Sequence, residues 1–430
     1  MSTAVESNPL EGRTVYVPQM SYAAGRTLAA SVRSLGVQAS VSPDSDETTY
    51  VLGGKYTSGE ECLPQKVTLG DFVKVLEAPD FRPERTAFLM PTSNGPCRFG
   101  MYSPHLRQLL DSQGNQDVVI WSPSSEDGYE GFGEQGGSFF RTSWRGMVAG
   151  DALTKALLQT RPYETTPGDA DEVFQAQVAA LCGVLESTHE STESQMDLLV
   201  ATLRSASAAF RAVPADYSEP RPLIGIVGEI FCRLNDFSNN SIVRQIEVQG
   251  GEAWMSDVIE WVLKTNTDQL INLKEDGHGL LSQKGAVARI KQMFQRHDEH
   301  QLCGAFMPDF VGYEEPADTQ VLYDFSEPYL SASGCNGEMT LSVGKVCYLH
   351  GKGADGIIDI SPFTCMNGIV CESVYPQVST DYDGIPIKVF YFDGTQGDLG
   401  SDVSIFMELA RTYGRRKAIQ RKLPPHFGRG

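Results

Sequence analysis

Thr86-Ala-Phe-Leu-Met-Pro-Thr-Ser-Asn-Gly-Pro-Cys-Arg-Phe-Gly100 is the stretch on which the fold turns. Thr86 to Met90 is a β-rich run, and Pro91 to Pro96 is turn chemistry. Phe99, Tyr102, Leu106, Leu109 and Leu110 then share one helical face before Val118-Val-Ile-Trp121 resumes strand character. The same order stands upstream, where Thr14-Val-Tyr-Val-Pro18 precedes a helical pattern from Ala23 to Leu35 and a strand from Val37 to Val41. Downstream, Leu223-Ile-Gly-Ile-Val227 stops at Gly228, and Gly356 to Ile360 and Pro386 to Phe392 repeat the strand signature. Ser238 to Gln249, Met339 to His350 and Asp402 to Thr412 read as helices, the first capped by its Ser-Asn-Asn cluster. Strands alternating with helices specify parallel sheets.

Asp169 to Ala212 is helical in pattern with a polar break at Glu186 to Glu193, so two helices join the halves. The expected architecture is α/β: two Rossmann-like open parallel-sheet domains, residues 1–168 and 216–430, with a helical connector at 169–215. Trp254 to Leu263 and Gly285 to Phe294 mix strand and helix signals, and the second half shows no exact repeat of the first.

The 430 residues are 41% hydrophobic, an ordinary globular composition, and carry a net charge of −20. That charge argues against broad binding to nucleic acid or anionic membrane, which needs basic surface. No apolar run approaches the ~20 residues of a membrane helix, and Met1 to Gly12 is polar, so a folded cytoplasmic protein is expected. One basic run stands apart, with Arg411, Arg415, Arg416, Lys417, Arg421 and Lys422 free of intervening acids. It is either a solvated helix end or a docking segment for an acidic partner.

Nine cysteines, an odd and widely spread set, do not make a secreted disulfide framework. Three share a local grammar. Cys97 follows a strand and a turn and precedes a helix; Cys365 follows the strand at Gly356 through Ser361-Pro-Phe-Thr364. Cys62 precedes Pro64, which suits the first turn of a helix with Leu69, Phe72, Val73 and Leu76. In an open parallel sheet such turns face the ligand crevice, so the three sulfurs are expected to line one cleft. Gly95 and Pro96 let the chain turn tightly beside Cys97. A helix N-terminus also favours the thiolate that binds metal. Without a C-x-x-C pair they suit an iron–sulfur cluster better than structural zinc, and buried structural thiols are the competing reading.

Four ordered stretches resemble the 2-hydroxyacyl-CoA dehydratase and activase-related superfamily, specifically the dehydratase-like region associated with large activases. They are Tyr56-Thr-Ser-Gly-Glu-Glu-Cys62-Leu-Pro64 to Gly70-Asp71, Pro91 to Gly100, Gly225-Ile-Val-Gly-Glu229 through Phe237-Ser-Asn-Asn240, and Gly353 through Cys365-Met366. The resemblance implies paired Rossmann-like domains around an iron–sulfur cluster, charged with low-potential electrons by an ATP-hydrolysing activase under anaerobic conditions. It carries Cys62, Cys97 and Cys365 over as ligands of a 4Fe–4S cluster. A larger cluster, such as a double cubane, follows if Cys335, Cys347 or Cys371 also ligate. The expected activity is a reductase or 2-hydroxyacyl-CoA dehydratase-like component acting on a CoA ester or small molecule. The alternative is a non-catalytic, cluster-bearing or regulatory subunit of an activase. A homodimer or a related dehydratase-like subunit is the other expected partner.

Glu229 closes a strand at the expected crevice and is the candidate catalytic proton donor, against a loop-holding salt bridge to Arg233 or Arg98. Ser238, Asn239 and Asn240 are helix caps or receivers of an anion. Arg98 offsets cluster charge or lies on the surface, and Glu60 and Glu61 hydrogen-bond around Cys62 or face solvent. His297 and His300, with Asp298 and Glu299 between them, read as a solvated helical turn. There is no Walker loop, H-E-x-x-H or Ser-His-Asp order, and Gly351 to Gly356 precedes a strand, so the chain is not expected to hydrolyse ATP.

Overall fold

A computed structural model describes residues 9–93, 97–123, 136–275, 282–335, 337–395 and 397–428. The first lobe runs β1 (Thr14–Val17), α1 (Tyr22–Arg33), β2 (Gln38–Val41), α2 (Glu47–Lys55), α3 (Leu63–Leu76), β3 (Thr86–Leu89), α4 (Tyr102–Ser112) and β4 (Val119–Trp121). Three helices follow: α5 (Gly136–Thr160), α6 (Asp169–Glu186) and α7 (Thr192–Ala212). The second lobe begins with β5 (Leu223–Gly228), α8 (Ile230–Leu234), α9 (Ile242–Val248) and β6 (Glu252–Met255). It continues through α10 (Val258–Glu275), α11 (Gln283–Cys303), α12 (Thr319–Ser326) and α13 (Met339–Gly351), and closes with β7 (Gly356–Pro362), α14 (Met366–Asp381), β8 (Ile387–Phe392) and α15 (Leu399–Gly414).

The protein is α/β with two four-stranded, all-parallel sheets, ordered β2-β1-β3-β4 and β6-β5-β7-β8. The two orders are equivalent, although the sequences show no repeat. In each sheet the order reverses beside the first strand, and ligands of such sheets bind beyond the carboxyl ends at that reversal. Cys97 follows β3 and Cys365 follows β7, so these two thiols occupy corresponding positions in the two lobes.

Local chemistry sets the boundaries. Ser21 caps α1 by accepting the Ala24 N–H at 3.1 Å, and Asp46 with Thr49 forms a capping box on α2. At Gly70 a Cβ would lie 1.9 Å from the Thr49 carbonyl oxygen, so α2 and α3 pack backbone to backbone. Gly228, at φ +112°, ends β5 where a Cβ would meet the Ile360 carbonyl oxygen at 2.2 Å. The chain turns there and delivers Glu229 to the crevice.

Helix α5 packs against α1, α6 and α7 and against β6, α10 and α11, tying the lobes together. One core accordingly extends from Ala23 through Leu153 and Leu181 to Trp254, Val346 and Tyr375. No helix among the described residues is long and apolar enough to cross a membrane.

Three expectations need correction. The helix placed from Ser238 starts at Ile242, whose N–H donates to Asn239 Oδ1 at 3.3 Å, while the Asn239 side-chain amide donates to the Cys232 and Arg233 carbonyls, locking α8 to α9. Asp298 is not in a solvated turn: it is buried, accepting two bonds of 3.0 Å from Arg141 and one of 2.8 Å from Arg145, while His297 and His300 are exposed. Half of the basic run turns inward, while Arg415, Arg416 and Lys422 are exposed. Arg421 binds both oxygens of fully buried Glu252 at 2.7 and 2.8 Å, Lys417 pairs with Asp355 at 2.8 Å, and Arg411 donates to the Gln249 carbonyl. The segment is a strap across the second lobe.

Candidate functional site

Cys62, Cys97 and Cys365 each take the residue before a helix, ahead of α3, the 3-10 turn Arg98–Met101 and α14. All three share φ −69° and an extended ψ, and none uses its side chain as a cap. The sulfurs therefore stand beside free helix N–H groups and the positive end of each helix. Thr364, before Cys365, is in the left-handed region at φ +66°, a conformation that costs a non-glycine residue about 1–3 kcal/mol. The Gly95 and Pro96 turn before Cys97 lies outside the described residues.

Arg98 joins the lobes at this point. Its Nη1 donates to the Glu60 carbonyl at 2.5 Å and to Thr364 Oγ1 at 3.5 Å, strapping the segment before Cys62 to the segment before Cys365. Cys62 Sγ lies 2.8 Å from the Tyr102 hydroxyl, which reaches it from α4. Glu61 is occupied with its own turn, accepting from the Ser58 and Gly59 N–H groups.

Two carboxylates stand behind the sulfurs. Glu229 caps α8, accepting from the Phe231 N–H at 3.1 Å and the Cys232 N–H at 2.8 Å, so neither expected salt bridge forms. Glu338, at the start of α13, accepts the Ile230 N–H at 3.2 Å on both oxygens. Burial raises both acids; Glu229 is partly offset by its two N–H donors, whereas Glu338, beside the Glu229 charge, is pushed up to about 8.

The thiols also depart from expectation. Burial raises all three, outweighing the helix N–H groups, and Cys365 reaches about 12. Each thiol feels the Glu229 charge, Cys97 and Cys365 also feel Glu338, and Cys62 feels Cys97. The three sulfurs and two acids therefore share one electrostatic environment, with Arg98 lowering Cys97. Raised pKa values favour the protonated thiols in the metal-free protein, and metal binding would displace those protons.

Among the described residues, no group of three or more His, Cys, Asp and Glu side chains is arranged to hold a metal ion. The donor chemistry nonetheless fits a cluster: three thiols free of disulfides on three helix N-termini, with no cap bond competing for sulfur. Cys335, Cys347 and Cys371 do not join them on those helix starts. Cys347 reaches toward the Phe325 carbonyl and Cys371 toward the Met339 carbonyl, while Cys335 lies by Lys264 and Asp268.

Glu338 and Tyr102 are the site residues that sequence reading missed. Tyr102 was legible only as part of an apolar helix face, and Glu338 sits in the featureless run before α13. No model of a known family matches the sequence, and no curated protein matches it.

Proposed function

We propose that this chain is an iron–sulfur redox protein, a dehydratase- or reductase-like component that takes low-potential electrons from an ATP-dependent activase. What supports the reading is that Cys62, Cys97 and Cys365 each stand directly before a helix, and that Arg98 ties the segment before Cys62 to the segment before Cys365. Their resemblance to the dehydratase motifs supplies the substrate class, a CoA ester or small molecule.

Cys62, Cys97 and Cys365 would hold the cluster, which when bound supplies one-electron transfer and an open coordination position. The chain supplies the rest. Arg98 sets a positive charge beside Cys97, and the Tyr102 hydroxyl orients Cys62. Glu338 carries a proton near neutral pH, a better match to general acid work than Glu229, whose oxygens are committed to α8. Met101, Phe363, Met366 and Ile369 are exposed apolar side chains flanking Cys97 and Cys365, which supports a face that an electron-donating partner covers.

The test is anaerobic purification followed by electron paramagnetic resonance after chemical reduction. The reading expects a cluster signal that Cys97→Ala removes together with iron. Colourless protein after anaerobic reconstitution overturns it.

A further inference from the structure

Next to the cysteine site, two small cavities share one residue. The first is a cleft of about 420 Å³, open solvent included, between α5 and the end of β6; Asp151, Lys155, Gln159, Ser256 and Asp257 line it. The second, about 250 Å³, is lined by Gly228, Arg233, Ser256, Glu260, Glu338 and Ser342. Ser256, the first residue after β6, belongs to both walls, and Glu338 and Gly228 carry the second cavity to Glu229.

Four side chains lining these cavities have a buried polar atom without a hydrogen-bond partner among the described residues: Gln159 Nε2 in the first cavity, Arg233 Nε and Glu260 Oε1 in the second, and Ser256 Oγ between them. Ser256 is 1% exposed, and Gln159 and Arg233 are each 6% exposed. Unmatched polar atoms at that depth cost about 1–3 kcal/mol each unless something satisfies them. The first cavity has room for about one water and the second for at most about one, and their walls offer the two to four polar partners that a buried water needs.

We infer that the two cavities form one water-filled proton path, with Ser256 as its relay, from the interlobe cleft at Asp257 to Glu338 beside the cysteines. A hydroxyl suits the position because it accepts a proton on one lone pair while donating its own. Asp257 receives a proton from solvent, water passes it to Ser256 Oγ, and a second water delivers it to Glu338. Every step breaks one O–H bond and forms another, so charge balances without any redox partner. Gln159 Nε2 and Arg233 Nε donate to the waters and anchor them. Asp151 is committed elsewhere, accepting the Ile259 N–H at 2.9 Å, and Lys155 is tied to Glu315. That leaves Asp257 as the entry group, a carboxyl pushed well up by burial and by the Glu315 charge.

The path deepens the proposed function in one respect: a site that adds protons along with electrons needs a supply shielded from bulk water. Its test does not depend on that reading, because it uses the cluster-free chain. In D₂O at mildly acidic pH, the infrared band of the Glu338 carboxylic acid, identified by its loss in Glu338→Gln, should shift quickly in the wild type. Ser256→Ala should slow that exchange on the order of a hundredfold, and Ser256→Thr, which keeps the hydroxyl, should restore it. Unchanged exchange in Ser256→Ala overturns the path. Because Ser256 Oγ holds no partner, the alanine variant should fold as the wild type does; a high-resolution crystal structure of the unsubstituted protein is the second measurement. Ordered waters on Gln159 Nε2, Ser256 Oγ and Arg233 Nε support the path, and dry cavities overturn it.

Discussion

Two regions along the interlobe boundary handle buried charge in opposite ways. In one, each carboxylate has its cation: Glu315 holds Lys155 and Lys345, and Glu252 holds Arg421 with hydrogen bonds from Tyr163 and Tyr313. In the other, Cys62, Cys97, Cys365, Glu229 and Glu338 influence one another with raised pKa values, and no salt bridge among the described residues reaches either acid. The first arrangement is what a scaffold requires. The second keeps protonatable groups unneutralised where a positively charged guest would relieve them, a pattern that marks functional sites.

Breaking the paired region should have the largest effect. Arg421→Met strands Glu252 in the core and should cost about 3–5 kcal/mol in urea unfolding. A loss below about 1 kcal/mol would mean that the strap contributes little, and the contrast between the regions would fade.

Acid should discriminate next. Burial pushes Glu315 up, but the Lys155 and Lys345 charges outweigh it and hold the carboxyl down to about 2, against an ordinary 4.5. A depressed folded pKa contributes stability above the unfolded value and loses it as pH falls through the folded one. This group should therefore give up as much as about 3 kcal/mol between those two pH values. Glu338, raised to about 8, has the opposite sign, favouring the fold below the ordinary carboxylate pKa and losing that contribution as pH climbs through about 8. Glu338→Gln should flatten stability on the alkaline side and leave the acid limb intact.

Smaller effects are expected at the cysteines. Tyr102→Phe removes the hydroxyl from Cys62 and should cost about 1 kcal/mol while iron is retained. Cys97→Ser, where the residue as a whole is exposed although its thiol is partly desolvated, should stay within about 0.5 kcal/mol of the wild type in metal-free unfolding even though it loses iron. A large destabilisation there would make Cys97 a packing residue.

The sheets were legible because β3, β5 and β7 are buried runs bounded by turn residues, and the thiols because each precedes a helix by the same grammar. Helix α5 was not: it is buried on nearly every side, so it carries no polar stripe from which to read a period. Helix α2 hides for another reason, since two glycines and two threonines weaken its helical signal while a capping box and contact with α3 hold it in place. Asp298 and Arg421 looked like surface charges because their partners, Arg145 and Glu252, lie far away in sequence. The thiol pKa values ran opposite to the helix-end argument because burial depends on the packed lobes, whereas the helix end is visible locally.

Iron and acid-labile sulfide per chain in anaerobically purified protein, compared with Cys62→Ser, Cys97→Ser and Cys365→Ser, test the central claim most directly. The account predicts matched iron and sulfide in the wild type and loss of both in each variant. Iron-free wild-type protein after reconstitution, or full iron in all three variants, would contradict it.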